Sequence, residues 1–183
     1  IKQLAIRNSI WPYGKLAWRH EYIEQDHDND PKAFLGETGN FSGEDVIDII
    51  CRQPATARFI SRHMYHFFVA DEPPVPHWPY KPPRDIEAIR VLETAYFENG
   101  HNIKQMLRVL FNSEFFKSET CRFEKIKSPT ELVTGVLRLT REFEAPKIEI
   151  VDRNNQVTYM GQQLMNPPSV EGWHQGLEWI ETG

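Results

Sequence analysis

Cysteine is scarce in this chain: Cys51 and Cys121 are the two in 183 residues. They lie far apart and outside any CxxC, which excludes a thiolate zinc site or a dithiol redox motif. Cys51 sits in the apolar run 46–51 and reads as a small buried hydrophobe. Whether it pairs with Cys121 is a question of geometry that spacing leaves open. Long apolar runs are lacking too. No stretch approaches the roughly 18 residues of a membrane span, so no transmembrane segment is expected. Nor is there an excess of positive charge. With 21 Lys and Arg against 26 Asp and Glu, the net charge is -5 and the pI about 5.8. No global field would draw in nucleic acid, and no nucleic-acid partner is expected. GxSxG, P-loop and GxGxxG motifs are all missing, as is a cysteine beside a histidine. A nucleophile elbow and a nucleotide cradle are thereby excluded, and no cofactor is expected.

What the chain does have is hydrophobic bulk, proline and tryptophan. Hydrophobic residues make up 40% and aromatics 12%, which supports a packed interior and argues against disorder. The length suits one domain with a real core. The chain starts at Ile1 and not at Met. It therefore reads as a piece of a longer protein, with the missing N-terminal region as its first partner and any targeting segment upstream.

Helical patterns dominate from Ser42 onward. Ser42 is an N-cap ahead of Val46, Ile47, Ile49 and Ile50. Pro54 fits the first turn of a second helix, whose apolar arc would be Phe59, Ile60, Met64, Phe67 and Phe68. Arg58, Arg62 and His66 would then form a solvated face. Residues 73–83 hold six of the 13 prolines and form a semi-rigid connector. A third helix over 84–99 ends at Gly100, with Ile86, Ile89, Leu92 and Tyr96 inward. A fourth carries Ile103, Met106, Leu107, Leu110 and Phe111, and Ser113 begins a short extra turn. Ser128-Pro129-Thr130-Glu131 is a capping box with proline in first position. Its helix would show Leu132, Val133, Val136, Leu137, Thr140 and Phe143 on one face. A final helix is expected over 154–164. Before Ser42 the chain looks irregular, with an extended segment at 16–22 carrying Trp18, His20 and Tyr22. The expected fold is all-α: an irregular multi-helix bundle with long proline-rich loops and one short N-terminal hairpin. The expected division is an irregular segment over 1–41 and a helical domain over 42–183.

Two stretches are candidates for ligand chemistry. Asp26, Asp28 and Asp30 alternate, and Glu37 follows Asp26 by eleven positions, mimicking the ligand spacing of a calcium loop. The sixth position requires a glycine, and here it is Pro31, so an EF-hand is excluded. A looser cation site of Asp26, His27, Asp28 and Asp30 stays open. The second stretch is aromatic: Trp78 and Tyr80 in the connector, then Trp173, His174 and Trp179 in the tail. Such rings can stack on sugars or form interfaces; they can equally clamp loops onto the core. His63 and His66 share a helix at i, i+3, a zinc-compatible pairing without a third ligand at any recognisable spacing. His63, inside the apolar arc, is better explained as a hydrogen-bonded core histidine.

The tail is the most distinctive stretch. Met160-Gly161-Gln162-Gln163-Leu164, then Pro167-Pro168-Ser169-Val170-Glu171-Gly172-Trp173, then Gly176 and Trp179-Ile180, resemble the C-terminal signature of the bacterial domain-of-unknown-function 1800 family. The blocks at 32–47, at 53–60 with Phe67-Phe68-Val69, at 113–116 and at 127–133 resemble that family in the same order. The resemblance implies the C-terminal segment of a longer bacterial protein. It also implies an extracytoplasmic home, since family members often carry export signals. It supplies no catalytic residue.

Two functional expectations follow. The first is a structural or binding module whose ligand is a cell-surface polymer or a partner protein, with its aromatic side chains around a shallow groove. The second is a hydrolase-like site completed by the missing N-terminal region, to which His20, His27, Asp28 and His63 would contribute.

Overall fold

A computed structural model of the chain describes residues 22–145 and 147–181. The extended segment expected at 16–22, with Trp18 and His20, lies almost wholly outside the described residues. The fold is mainly helical, with one two-stranded sheet among the described residues, as the helical patterning and the N-terminal hairpin required. The chain divides into two compact units after Ile50.

The first unit opens with a short 3-10 turn at Glu24–Asp26. An antiparallel hairpin of β1 (Lys32–Phe34) and β2 (Glu37–Gly39) follows, in the register Lys32↔Gly39 and Phe34↔Glu37. Leu35 and Gly36 form its two-residue turn, both at positive φ, 47° and 86°. This is the turn geometry that follows strand twist. Helix α1 (Gly43–Cys51) begins where the serine signal placed it. The Ser42 N–H and hydroxyl donate to Asp45 Oδ2 at 2.8 and 2.7 Å, and the Asp45 N–H donates back to the hydroxyl. Those bonds hold the Asp45 carboxyl below its ordinary pKa.

The second unit is built on α2 (Pro54–Phe68), α3 (Ile86–Glu98) and α4 (Ile103–Asn112). Helix α3 packs between α2 and α4. The core joins Ala57, Met64 and Tyr65 to Ala88, Ile89, Leu92, Ala95 and Tyr96, and to Met106 and Leu110. The alanines let the helix backbones approach closely, and the larger side chains interdigitate between them. Asp85 and Asn102 cap α3 and α4 by accepting N–H bonds from Ala88 and Gln105. A one-turn helix, α5 (Glu114–Lys117), is capped by Ser113 as expected.

The buried face of α2 differs from the expected one. Phe59 and Phe67 are largely exposed, whereas Ser61 and Arg62 are buried. Arg58 alone among the predicted solvated residues of that helix is strongly exposed, paired to Glu93 at 2.9 Å. Periodicity weighs residues by hydrophobicity alone. The contact with α3 selects small residues, and a partner elsewhere in the chain neutralises Arg62.

Helix α6 (Pro129–Thr140) starts on the full Ser128–Glu131 capping box and packs on α7 (Ile150–Tyr159). Val133, Leu137 and Phe143 are half-buried, while Leu132 and Val136 of the same predicted face are exposed. Helix α7 lies several residues earlier than the expected 154–164 segment. Gly161, at φ +93°, ends it in the left-handed region. A final short helix, α8 (Glu178–Glu181), was not legible beforehand. No described helix is long and apolar enough to cross a membrane. Cys51 and Cys121 are free thiols, both half-buried.

Candidate functional site

The proline-rich connector of the second unit is fixed from beneath by a charge. Glu72 and the guanidinium of Arg62 are almost wholly buried, with side chains 0% and 4% exposed. Arg62 Nε and Nη2 reach Glu72 Oε2 at 2.8 and 2.6 Å. The same guanidinium donates to the carbonyls of Lys81 at 2.9 Å and Pro82 at 3.1 Å. Glu72 Oε1 accepts the Arg84 N–H at 2.8 Å. One cation thus organises a segment whose prolines cannot donate backbone hydrogen bonds to each other. Trp78 lies over it, its ring centroid 4.7 Å from the guanidinium carbon, and donates its indole N–H to the Pro73 carbonyl at 2.7 Å. His63 packs between Trp78 and Phe59, with ring centroids 4.6 and 4.5 Å away. Burial pushes the His63 pKa below its ordinary value.

The hydrogen bonds expected at His63 are carried by His66. The Glu72 N–H donates to His66 Nδ1 at 3.0 Å. Nδ1 must then be unprotonated, so Nε2 carries the hydrogen and donates to Gln175 Oε1, also at 3.0 Å. Burial, then the neighbouring Lys125 ammonium, lower the His66 pKa. Lys125 donates to the His66 carbonyl at 2.6 Å and to Asp71 Oδ1 at 2.5 Å, while Asp71 Oδ2 accepts the Ile126 N–H.

The tail strap over 167–180 lies across this assembly. Gly176, at φ +56°, approaches so closely that an added Cβ would sit 3.3 Å from Asp71 Oδ2. Gln162 is the strap's upstream anchor. Its Oε1 accepts the Thr130 N–H and hydroxyl, both at 2.8 Å, tying the end of α7 to the first turn of α6. Trp179 packs beside Gly161 and meets the His174 ring edge-on at 5.8 Å. Sequence reasoning missed Arg62, Glu72 and Gln162 as organising residues. Only the Gly161-Gln162 pair carried a readable signal, as part of the tail motif.

Three adjoining clefts open along the strap. One of about 500 Å³ runs between the connector prolines and Trp173. A second, about 670 Å³, lies between Trp179, Met160 and Leu132. A third, about 480 Å³, is lined by His63, His66, Lys125 and Trp179. His174 borders all three. Trp78, Trp173 and Trp179 are half-buried, Tyr80 is exposed, and Trp173, His174 and Trp179 are brought together on these walls.

Most of the other predicted groups belong to the first unit. In the first unit, the imidazole of His27 contacts Asn29 Oδ1 at 3.1 Å and the Phe41 carbonyl at 3.3 Å. Asp28 Oδ1 accepts the Asp30 N–H at 3.0 Å, and Asp26 closes the 3-10 turn. Among the described residues, no group of three His, Cys, Asp or Glu side chains is placed to hold a metal ion. Of the hydrolase candidates, His20 lies outside the described residues, His27 and Asp28 belong to the first unit, and His63 to the second.

Comparison with curated proteins and with solved structures returned no match. A family model described as "Protein of unknown function (DUF1800)" matches residues 12–183, nearly the whole sequence. The connector clamp, the strap and its glycines are therefore features of a member of that family, to which this chain belongs.

Proposed function

We propose that the second unit is a non-catalytic binding module whose ligand is a cell-surface polysaccharide, held along the strap. The observation behind it is the placement of His174, half-exposed where three clefts meet, with Trp173 and Trp179 on their walls. Sugar rings present apolar C–H faces that stack on indole, and hydroxyls that bond imidazole, amide and carboxylate groups. Gln175 and Glu178 supply an amide and a carboxylate beside the rings, and Lys127 adds an ammonium donor. Tyr80, 86% exposed on the same clamped connector, is a further stacking face. An extracytoplasmic location agrees with such a ligand.

Affinity electrophoresis through gels containing neutral and acidic polysaccharides tests the proposal. Retardation by at least one polymer is expected, with Trp179→Ala and His174→Ala each weakening it about tenfold or more, the scale of one lost stacking contact. Circular dichroism would check that both variants fold. Free migration through every gel, or retention untouched by both substitutions, removes the polysaccharide reading and leaves a protein partner as the occupant to seek.

A further inference from the structure

We propose that His66 is a protonation-operated latch that holds the strap over 167–180 closed at neutral pH and frees it in acid. The argument rests on which nitrogen does what. Nδ1 accepts the Glu72 N–H and Nε2 donates to Gln175, on the strap. Only the neutral imidazole, in one tautomer, makes both bonds. A proton on Nδ1 sets two donors against each other across 3.0 Å. The ring has to turn away from the Glu72 amide, and that rotation carries Nε2 off Gln175. The next strap residue, Gly176, sits against Asp71, so the strap loses its attachment at its closest approach.

Burial and the Lys125 ammonium disfavour the imidazolium more than the nearby carboxylates of Asp71 and Glu72 favour it. Asp71 is occupied on both oxygens, by Lys125 and by the Ile126 N–H. The Glu72 carboxylate is committed to Arg62 and the Arg84 N–H. Glu131 accepts from Ser128 in the capping box, and Glu178 accepts the Gln175 N–H. Of the basic groups lining the cleft, the Lys125 ammonium is the one that repels a charged His66. Burial of His66 acts in the same direction. Opening the strap gives the ring to water and relieves both penalties. Protonation is therefore linked to release.

The latch stands on these bonds whatever occupies the clefts; its effect on polysaccharide binding would rest on the reading above. Hydrogen exchange by mass spectrometry, on the ligand-free chain and corrected for intrinsic rates, tests it directly. Between pH 7.5 and pH 5, protection over 167–180 should fall about tenfold for each pKa unit of coupling, with the Leu92 region of α3 unchanged. His66→Asn keeps an acceptor for the Glu72 N–H and cannot titrate. It should flatten that dependence, while His63→Phe and His174→Gln retain it. Equal strap protection at both pH values in the unmodified chain overturns the latch, as does a pH dependence that survives in His66→Asn. Should His66→Asn fail to fold, nitrogen NMR of the unmodified chain decides. His66 must titrate from the Nε2–H tautomer at the pH where the strap opens; a His66 that stays neutral through opening overturns the proposal.

Discussion

Glu72 receives Arg62 on one carboxylate oxygen and the Arg84 N–H on the other, so a single buried acid joins α2 to both ends of the proline-rich connector. A buried ion pair contributes little net stability when weighed against an apolar pair, yet removing one member leaves the other charged and desolvated.

Arg62→Met should accordingly cost about 3–5 kcal/mol in urea unfolding. Arg62→Lys should recover little of it, because an ammonium cannot span Glu72 and the Lys81 and Pro82 carbonyls with one planar fork. The double variant Arg62→Met, Glu72→Leu should lose less than the two single losses combined. Strict additivity would show that the connector carbonyls, and not Glu72, are the partners that matter.

The buried imidazoles make stability pH-dependent with a definite sign. Both His63 and His66 have pKa values below the ordinary 6.5. As pH falls below that value the unfolded chain binds protons first, so stability is full above it and declines toward the lower folded values. Urea midpoints should drop between pH 7.5 and pH 5, and His63→Phe should make the drop shallower. A midpoint that rises on acidification over this range would contradict the burial of both rings.

Gln162 caps a helix from another element, and its loss should be local. Gln162→Ala leaves the Thr130 N–H and hydroxyl unpaired near the surface of the core, at a cost of about 1–3 kcal/mol. The amides in the first turn of α6 should exchange faster, while those of α3 stay protected. Uniform acceleration across both helices would mean that Gln162 supports the whole unit and not this joint.

Gly176 tests the strap's seat. Its φ of +56° strains any side chain, and at 3.3 Å from an added carbon Asp71 would have to give way slightly. Gly176→Ala should cost about 1–2 kcal/mol, the penalty of a left-handed alanine, and raise proteolytic cleavage within the strap. Gly43→Ala, where nothing lies within 4 Å of the added carbon, is the matched control and should not affect the strap.

Local chemistry was legible where one short segment decides the outcome. Ser42 with Asp45, Pro54, Ser113, and Ser128 with Glu131 all start helices as their residue types demand, because a cap is satisfied within three or four residues. The inner stripe of α3 was legible for Ile89, Leu92 and Tyr96, though Ile86 at its first turn is about half exposed. The α2 face was misjudged because Phe59 and Phe67 look like core and Arg62 does not. Nothing near Arg62 in sequence discloses that Glu72 and three backbone carbonyls await it across the fold.

The sequence alone, then, determined the helical class, most helix starts, the family, and the singular tail with its glycines and tryptophans. Tertiary structure decided which face of α2 is buried, that Gln162 reaches the start of α6, and that Trp173, His174 and Trp179 line clefts that His63 and His66 approach from α2. The reason is physical. Capping and periodicity are set by neighbours within a few residues along the chain, whereas a buried charge, a fixed tautomer and a cleft wall are set by groups from 6 to 109 residues away that belong to other elements. Their free energies exist only once the backbone has brought them within hydrogen-bond reach.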